Sequence, residues 1–183
     1  MNLKLRMLTW ALAMIQSAPL LANTEPEHID IPHIHGTAHA RVAVAENAVV
    51  ISFQSPSYNL FGFEHRASTP KQLKEFRKAQ QVLGHVAPLF DFQGSLCNSV
   101  NVELDFSDLT NGKPHSDVHA RYDFVCNDAS ALTSISMPIV NIFPILEAVN
   151  VEWVTDVASG ETSVNAVALG VSFTNEEDTP AVE

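Results

Sequence analysis

Apolar and polar residues alternate along two neighbouring runs in the first third of the chain. Ala38, Ala40, Val42 and Val44 fall on one side of an extended segment, with His39 and Arg41 on the other. After Glu46 and Asn47 the pattern resumes, with Val49, Ile51 and Phe53 set against Ser52 and Gln54. A period of two is that of a half-buried strand. The runs therefore predict a hairpin turning at Glu46 and Asn47, with His39 directed away from the core. In STPKQLKEFRKAQQVLG the period changes: Leu73, Phe76, Ala79 and Leu83 form a stripe at helical spacing. Ser68 or Thr69 can cap this helix, Pro70 suits its first turn and Gly84 ends it.

Alternation returns in Val100, Val102, Leu104 and Phe106, then in Val118, Ala120, Tyr122, Phe124 and Cys126, with the polar SDLTNGKPHS as a loop between them. Residues 129–143 carry Leu132, Ile135, Ile139 and Ile142 or Phe143 at helical spacing, and Pro138 is expected to kink or split that helix. Strands over 149–155 and 162–174, joined by a turn at Ser159 and Gly160, complete the pattern. The order β-β-α-β-β-α-β-β with short connections predicts an α+β fold: an antiparallel sheet of about six strands with two helices on one face. Phe63, Tyr122 and Trp153 sit among apolar neighbours and are assigned to packing, and a buried Tyr122 needs a partner for its hydroxyl.

The N-terminus adds a compartment to this picture. Lys4 and Arg6 precede an apolar run from Met7 to Ala13, continued less purely to Leu21 and followed by a polar segment. This is the pattern of a secretory signal peptide, assigned to residues 1–22. Residues 23–174 then form one domain, and residues 175–183 an acidic, frayed tail. Cleavage leaves 8 basic side chains against 21 acidic ones, a formal charge of −13. Such a chain lacks the basic footprint that phosphate backbones require, which excludes nucleic acid as a partner. No other segment is apolar and long enough to span a bilayer.

Export also bears on the two cysteines, Cys97 and Cys126, because an oxidising compartment favours a disulfide. Such a bond would close a loop of about 30 residues and contribute roughly 3 kcal/mol in the loop-entropy account. The alternatives are two buried free thiols, or thiolate zinc ligands without a second CxxC pair to complete them.

The chemistry-bearing residues are the histidines. His33 and His35 project to the same side if their segment is extended; His115, Asp117 and His119 repeat that spacing, and Glu64 with His65 supplies a further carboxylate and imidazole. Neutral imidazole is the commonest protein ligand for zinc. A lone H-x-H is more often a solvated edge than a site, whereas two such clusters among only 8 histidines strengthen a metal reading. Spacing does not say whether the clusters meet.

The run HIHGTAHARVAVAENAVVISFQSPSYNLFGFEH resembles the ZrgA family of bacterial zinc-uptake proteins. An H-x-H-G-x-A start is carried by His33, His35, Gly36 and Ala38; an S-P-x-x-N-x-x-G-F-E-H segment by Ser55, Pro56, Asn59, Gly62, Phe63, Glu64 and His65. A later H-x-D-x-x-A-x-Y-x-F-x-C is carried by His115, Asp117, Ala120, Tyr122, Phe124 and Cys126. The likeness continues through Phe143, Pro144, Val151 and Trp153 to Ser159 and Gly160. One departure is the short SDLTNGKPHSDVH, where relatives often carry a long insertion rich in His and Asp.

The resemblance implies a periplasmic protein that binds zinc and passes it to an import system at the inner membrane. His33, His35, Glu64, His65, His115 and Asp117 stand at family positions. The expected primary site draws on His33, His35, His65 and His115, with Glu64 or Asp117 as a further ligand or as the acceptor that orients an imidazole. His119 and His39 are additions of this chain that would bind more weakly or serve entry of the ion. Affinity order alone favours copper over zinc at nitrogen ligands, so the choice of zinc over copper or nickel rests on the resemblance. A zinc-dependent hydrolase and a structural or interaction module with surface histidines are the competing readings. No G-x-S-x-G, H-E-x-x-H or phosphate loop supports an enzyme.

Overall fold

The computed structural model describes residues 32–173, so the expected signal peptide and acidic tail lie outside the described residues. The predicted hairpin is present: β1 (Thr37–Ala45) and β2 (Ala48–Pro56) pair antiparallel through the Ala45–Ala48 register. The short helix α1 (Ser57–Phe61) follows β2 directly, and α2 (Pro70–Gly84) comes next. Thr69 caps α2 by accepting from the Gln72 backbone N–H, and the Gln72 side chain reaches back to the Thr69 N–H, completing a capping box with Pro70 in the first turn. Ala79 and Leu83 are fully buried and Phe76 partly so, whereas Leu73 at the edge of the stripe is 39% exposed.

The chain continues through β3 (Asp91–Gln93), β4 (Cys97–Asp105), the single turn α3 (Ser107–Thr110) and β5 (Asp117–Cys126). It closes with β6 (Ser134–Ser136), the single turn α4 (Ile139–Ile142), β7 (Ala148–Val154), β8 (Ser159–Asn165) and β9 (Gly170–Ser172). Six strands form one sheet in the order β4-β5-β2-β1-β7-β8, and β3, β6 and β9 form a second, smaller one. The fold is α+β with a mostly antiparallel main sheet. Its exception is the parallel pair β1 and β7, both interior strands.

Alternation sorts the main sheet into two faces. Val42, Ile51, Val118, Tyr122 and Val151 point inward and are at most 1% exposed. Tyr122 donates its hydroxyl to the Leu83 carbonyl, which ties the sheet to α2, and burial pushes its pKa up. The small sheet covers the same face, since Phe92 packs on Phe124 and Phe173 on Trp153. Phe63 and Trp153 are likewise buried, in keeping with packing roles. The opposite face is polar, crossed by Arg41–Glu152 and Arg121–Asp123 ion pairs.

Four expectations change. The single strand expected over 162–174 is split between β8 in the main sheet and β9 in the small one. The second helix over 129–143 is instead a 3-10 turn at Ala129–Ala131, strand β6 and the single turn α4. Its apolar residues are buried, but Thr133 donates its N–H to the Gln93 carbonyl and accepts from Phe173, so the backbone bonds go to neighbouring strands. Only α2 is a long helix on the covered face. The turn near the C-terminus is made by Thr155, whose Oγ1 accepts from the N–H groups of Val157 and Ala158, while Ser159 and Gly160 belong to β8. Gly160 faces Trp153 across the strands, and a side chain there would collide with the indole ring. Val100 is 62% exposed because a bulge between Ser99 and Asn101 leaves it out of register.

Cys97 and Cys126 form a disulfide between directly opposed positions of β4 and β5, with Cα atoms 3.9 Å apart. Thiolate metal ligation is thereby excluded in this fold. No helix among the described residues is long and apolar enough to cross a membrane.

Candidate metal centre

Strands β1 and β5 flank β2 and both run antiparallel to it, so their starting ends lie beside the end of β2. Three loops therefore meet at one edge of the sheet. The segment before β1 carries His33 and His35, the segment after α1 carries Glu64 and the segment before β5 carries His115. One ligand atom from each of His33, Glu64 and His115 lies within 4.8 Å of the others. Separations of about 3.3 Å follow from zinc bonds of 2.0–2.1 Å at tetrahedral angles, so a small inward movement would suffice.

Glu64 sits at the middle of this cluster and is only 15% exposed. Its Oε1 accepts from His33 Nε2 at 2.5 Å and from His35 Nε2 at 2.9 Å, and its Oε2 lies 3.7 Å from His115 Nδ1. Partial burial works to raise the Glu64 pKa, but the hydrogen bonds from His35 and His33 and the charge on those rings outweigh it, leaving it below the ordinary glutamate value. The other nitrogen of His33, Nδ1, lies 2.9 Å from Asp117 Oδ1, and Gln54 Nε2 donates to Asp117 Oδ2 at 2.9 Å. His35 stacks on Tyr58 with ring centroids 4.4 Å apart, and the His33 and His115 rings meet edge to face at 5.2 Å.

The loops are held by an unusual core. Ser55, Ser57, Asn59 and Ser116 are the buried polar side chains among the described residues, each at most 1% exposed. Asn59, Ser57 and Ser116 tie the ligand-bearing segments together, and Ser55 supports the Asn59 amide. Asn59 accepts from Gly36 N–H and donates to the Thr37 carbonyl and to Ser55 Oγ. Ser57 donates to the Phe63 carbonyl, Ser116 donates to the Glu64 carbonyl, and the two hydroxyls lie 2.9 Å apart. Gly36 adopts φ +85°, which lets its N–H turn to Asn59 while its carbonyl accepts from Glu147 and Ala148 at the start of β7. Gly62, at φ +81°, stops α1 and sends Phe63 into the core and Glu64 toward the histidines. The S-P-x-x-N-x-x-G-F-E-H pattern thus has a mechanical meaning.

The remaining candidates lie elsewhere. His65 stacks on Phe63, its Nδ1 lies 3.1 Å from the Arg66 carbonyl and its Nε2 lies 3.3 Å from Gln72 Nε2. That directs it to the start of α2 and away from the Glu64 carboxylate. His119 is one pleat further along β5 than Asp117, on the polar face, paired in register with Gln54 and Asp105. His39 occupies the same row of that face. His85 lies at the end of α2, with Nδ1 3.3 Å from the Gln81 carbonyl. The sequence did not mark Tyr58 or Gln54 for the site; Tyr58 fills a variable position of S-P-x-x-N and meets His35 only through the placement of α1, and Gln54 is one polar residue among several on β2.

A cluster of imidazoles and a carboxylate, drawn from three separate loops on a mostly antiparallel α+β scaffold, is a donor set that could hold a metal ion. Residues 32–173 match the family described as ZrgA family zinc uptake protein, and the chain belongs to that family. No curated protein matches the chain.

Proposed function

We propose that this protein is exported to the periplasm, captures zinc at His33, His35, His115 and Glu64, and passes it to an import system at the inner membrane. The observation that carries this reading is the convergence of His33, Glu64 and His115 from three loops. Membership of a zinc-uptake family supports zinc as the ion, and the disulfide supports an oxidising compartment.

Zinc takes the place of the proton that His33 Nε2 shares with Glu64. Three imidazoles and one carboxylate satisfy a tetrahedral ion and leave no open position for water, which favours carriage over hydrolysis. Imidazole and carboxylate also hold the ion without the thiolate grip that would resist release. With zinc on Nε2, His33 would keep its one proton on Nδ1 and donate it to Asp117, which orients the ring and strengthens Nε2 as a donor to metal; Gln54 in turn fixes Asp117. His65 and His119 stand outside the four-ligand set.

Calorimetric titration of the purified protein with zinc, copper and nickel tests this assignment. His33→Ala is expected to weaken zinc binding more than about 100-fold, and Asp117→Asn by about 10- to 100-fold, as for loss of a group that orients a ligand. His65→Ala and His85→Ala should leave affinity nearly unchanged. Equal losses at His33, His65 and His85 would refute a single built site.

A further inference from the structure

The basic residues are segregated. Of the eight lysines and arginines among the described residues, Arg66, Lys71, Lys74, Arg77 and Lys78 lie within thirteen consecutive positions, accompanied by the single acidic Glu75. The three outside this segment are all ion-paired: Arg41 with Glu152, Lys113 with Asp108 and Arg121 with Asp123. None of the five inside it has a carboxylate within 4.0 Å among the described residues. The rest of the described chain carries thirteen acidic side chains. Among the described residues, those carboxylates pair with the cations outside the segment and not with the five inside it.

Their placement works against α2 itself. Ala79 and Leu83 define the buried side, which puts Lys74 at the centre of the outward face, with Lys71 and Lys78 one turn to either side and Arg77 alongside. Like charges three and four residues apart destabilise a helix. Lys71 also stands in the first turn, where the helix dipole disfavours a cation, and the last turn holds no basic residue. Leu73 is 39% exposed beside these cations and borders an apolar pocket of about 120 Å³ that reaches Leu109. The start of this helix touches His65, the residue after Glu64.

We infer that the outward face of α2 docks an acidic segment of another protein, whose carboxylates meet Lys71, Lys74 and Lys78 while an apolar side chain enters the pocket beside Leu73. Naming that partner as the acceptor of the zinc rests on the capture reading above. The face would bring the acceptor against the loop that holds Glu64, and complementary charge would speed encounter and fix orientation.

The test uses the full-length protein in cells, with a photo-crosslinking amino acid placed at Lys74. Crosslinks to another protein through a peptide rich in Asp and Glu are expected. Lys71→Glu with Lys78→Glu should lower their yield about tenfold, whereas Arg41→Glu with Arg121→Glu should not. The same helix variant should reduce zinc accumulation under zinc limitation with its calorimetric zinc affinity unchanged. Crosslinking to lipid or to a second copy of this chain, or a yield indifferent to reversal of the helix charges, would overturn the docking surface. Failure of the unaltered protein to bind zinc would instead overturn the capture reading, with the crosslinks judged independently of it.

Discussion

Strand β5 joins two ends of the molecule that are held together by different means. At Cys126 a disulfide fastens it to the edge strand β4; at its other end, beside Asp117, the neighbouring loops are fastened by buried hydroxyls and one buried amide. The ends are about 30 Å apart at the usual rise of a strand. A covalent bond suffices where the task is to keep an edge strand in place, and it acts largely by restricting the unfolded chain. The ligand end has a further requirement. Charged and polar groups must be positioned finely beside water, and each buried partner that holds them is costly to leave unpaired. This difference predicts that the two ends respond separately to mutation.

The largest effect on stability is expected at the far end. Replacing both Cys97 and Cys126 by Ala should cost about 3 kcal/mol in urea denaturation of the metal-free protein, from the loop they close. Zinc affinity should stay the same. A parallel fall in affinity would show that β5 transmits disorder along its length and would break the contrast. Asn59→Ala is the matching cut at the ligand end: it strips partners from Gly36 N–H and the Thr37 carbonyl, and should cost about 1–3 kcal/mol. Here affinity should fall as well, because Gly36 follows His35. Lost stability with unchanged zinc binding would reduce Asn59 to a general fold residue.

The sequence was most legible where a local rule coincides with the tertiary one. β1, β2 and β5 alternate because one face is buried, and α2 carries its own start signal in Thr69, Pro70 and Gln72. Legibility failed where pairing is non-local. Residues 129–143 have helical spacing, yet Thr133 bonds to strands forty residues away in each direction, and Pro138 removes a donor that a helix would need. The parallel neighbour of β1 is equally invisible, as it depends on the chain crossing back after β5. The histidine motifs could be marked in advance, but their meeting follows from the order β5-β2-β1, which no spacing reveals. His65 illustrates the limit at the scale of one residue: beside Glu64 in sequence, it leaves the cluster because Phe63 anchors it from below and Gln72 holds it from the side.

The smallest expected effect concerns His39, which shares the polar face with Asp117 but lies outside the cluster. Its Nε2 is buried without a hydrogen-bond partner. Desolvation lowers its pKa from 6.5, and the charges of Glu152 and Asp117 oppose that shift without cancelling it. The unfolded chain therefore binds a proton more readily at this residue than the folded one does. Its contribution to stability is present above pH 6.5 and is lost as pH falls through the depressed folded value. Glu64 acts with the same sign in a lower window, below its ordinary value of 4.5. The two can be separated by pH. His39→Gln should flatten the decline in metal-free stability between about pH 6.5 and pH 5 while leaving the loss below pH 4.5 in place. Because the ring is partly exposed, screening keeps the change below those at Cys97 and Asn59. Denaturation at pH 7.5, 5.5 and 4 measures it, and an unaltered slope across the upper interval would show that the unpaired nitrogen of His39 carries no penalty for being charged.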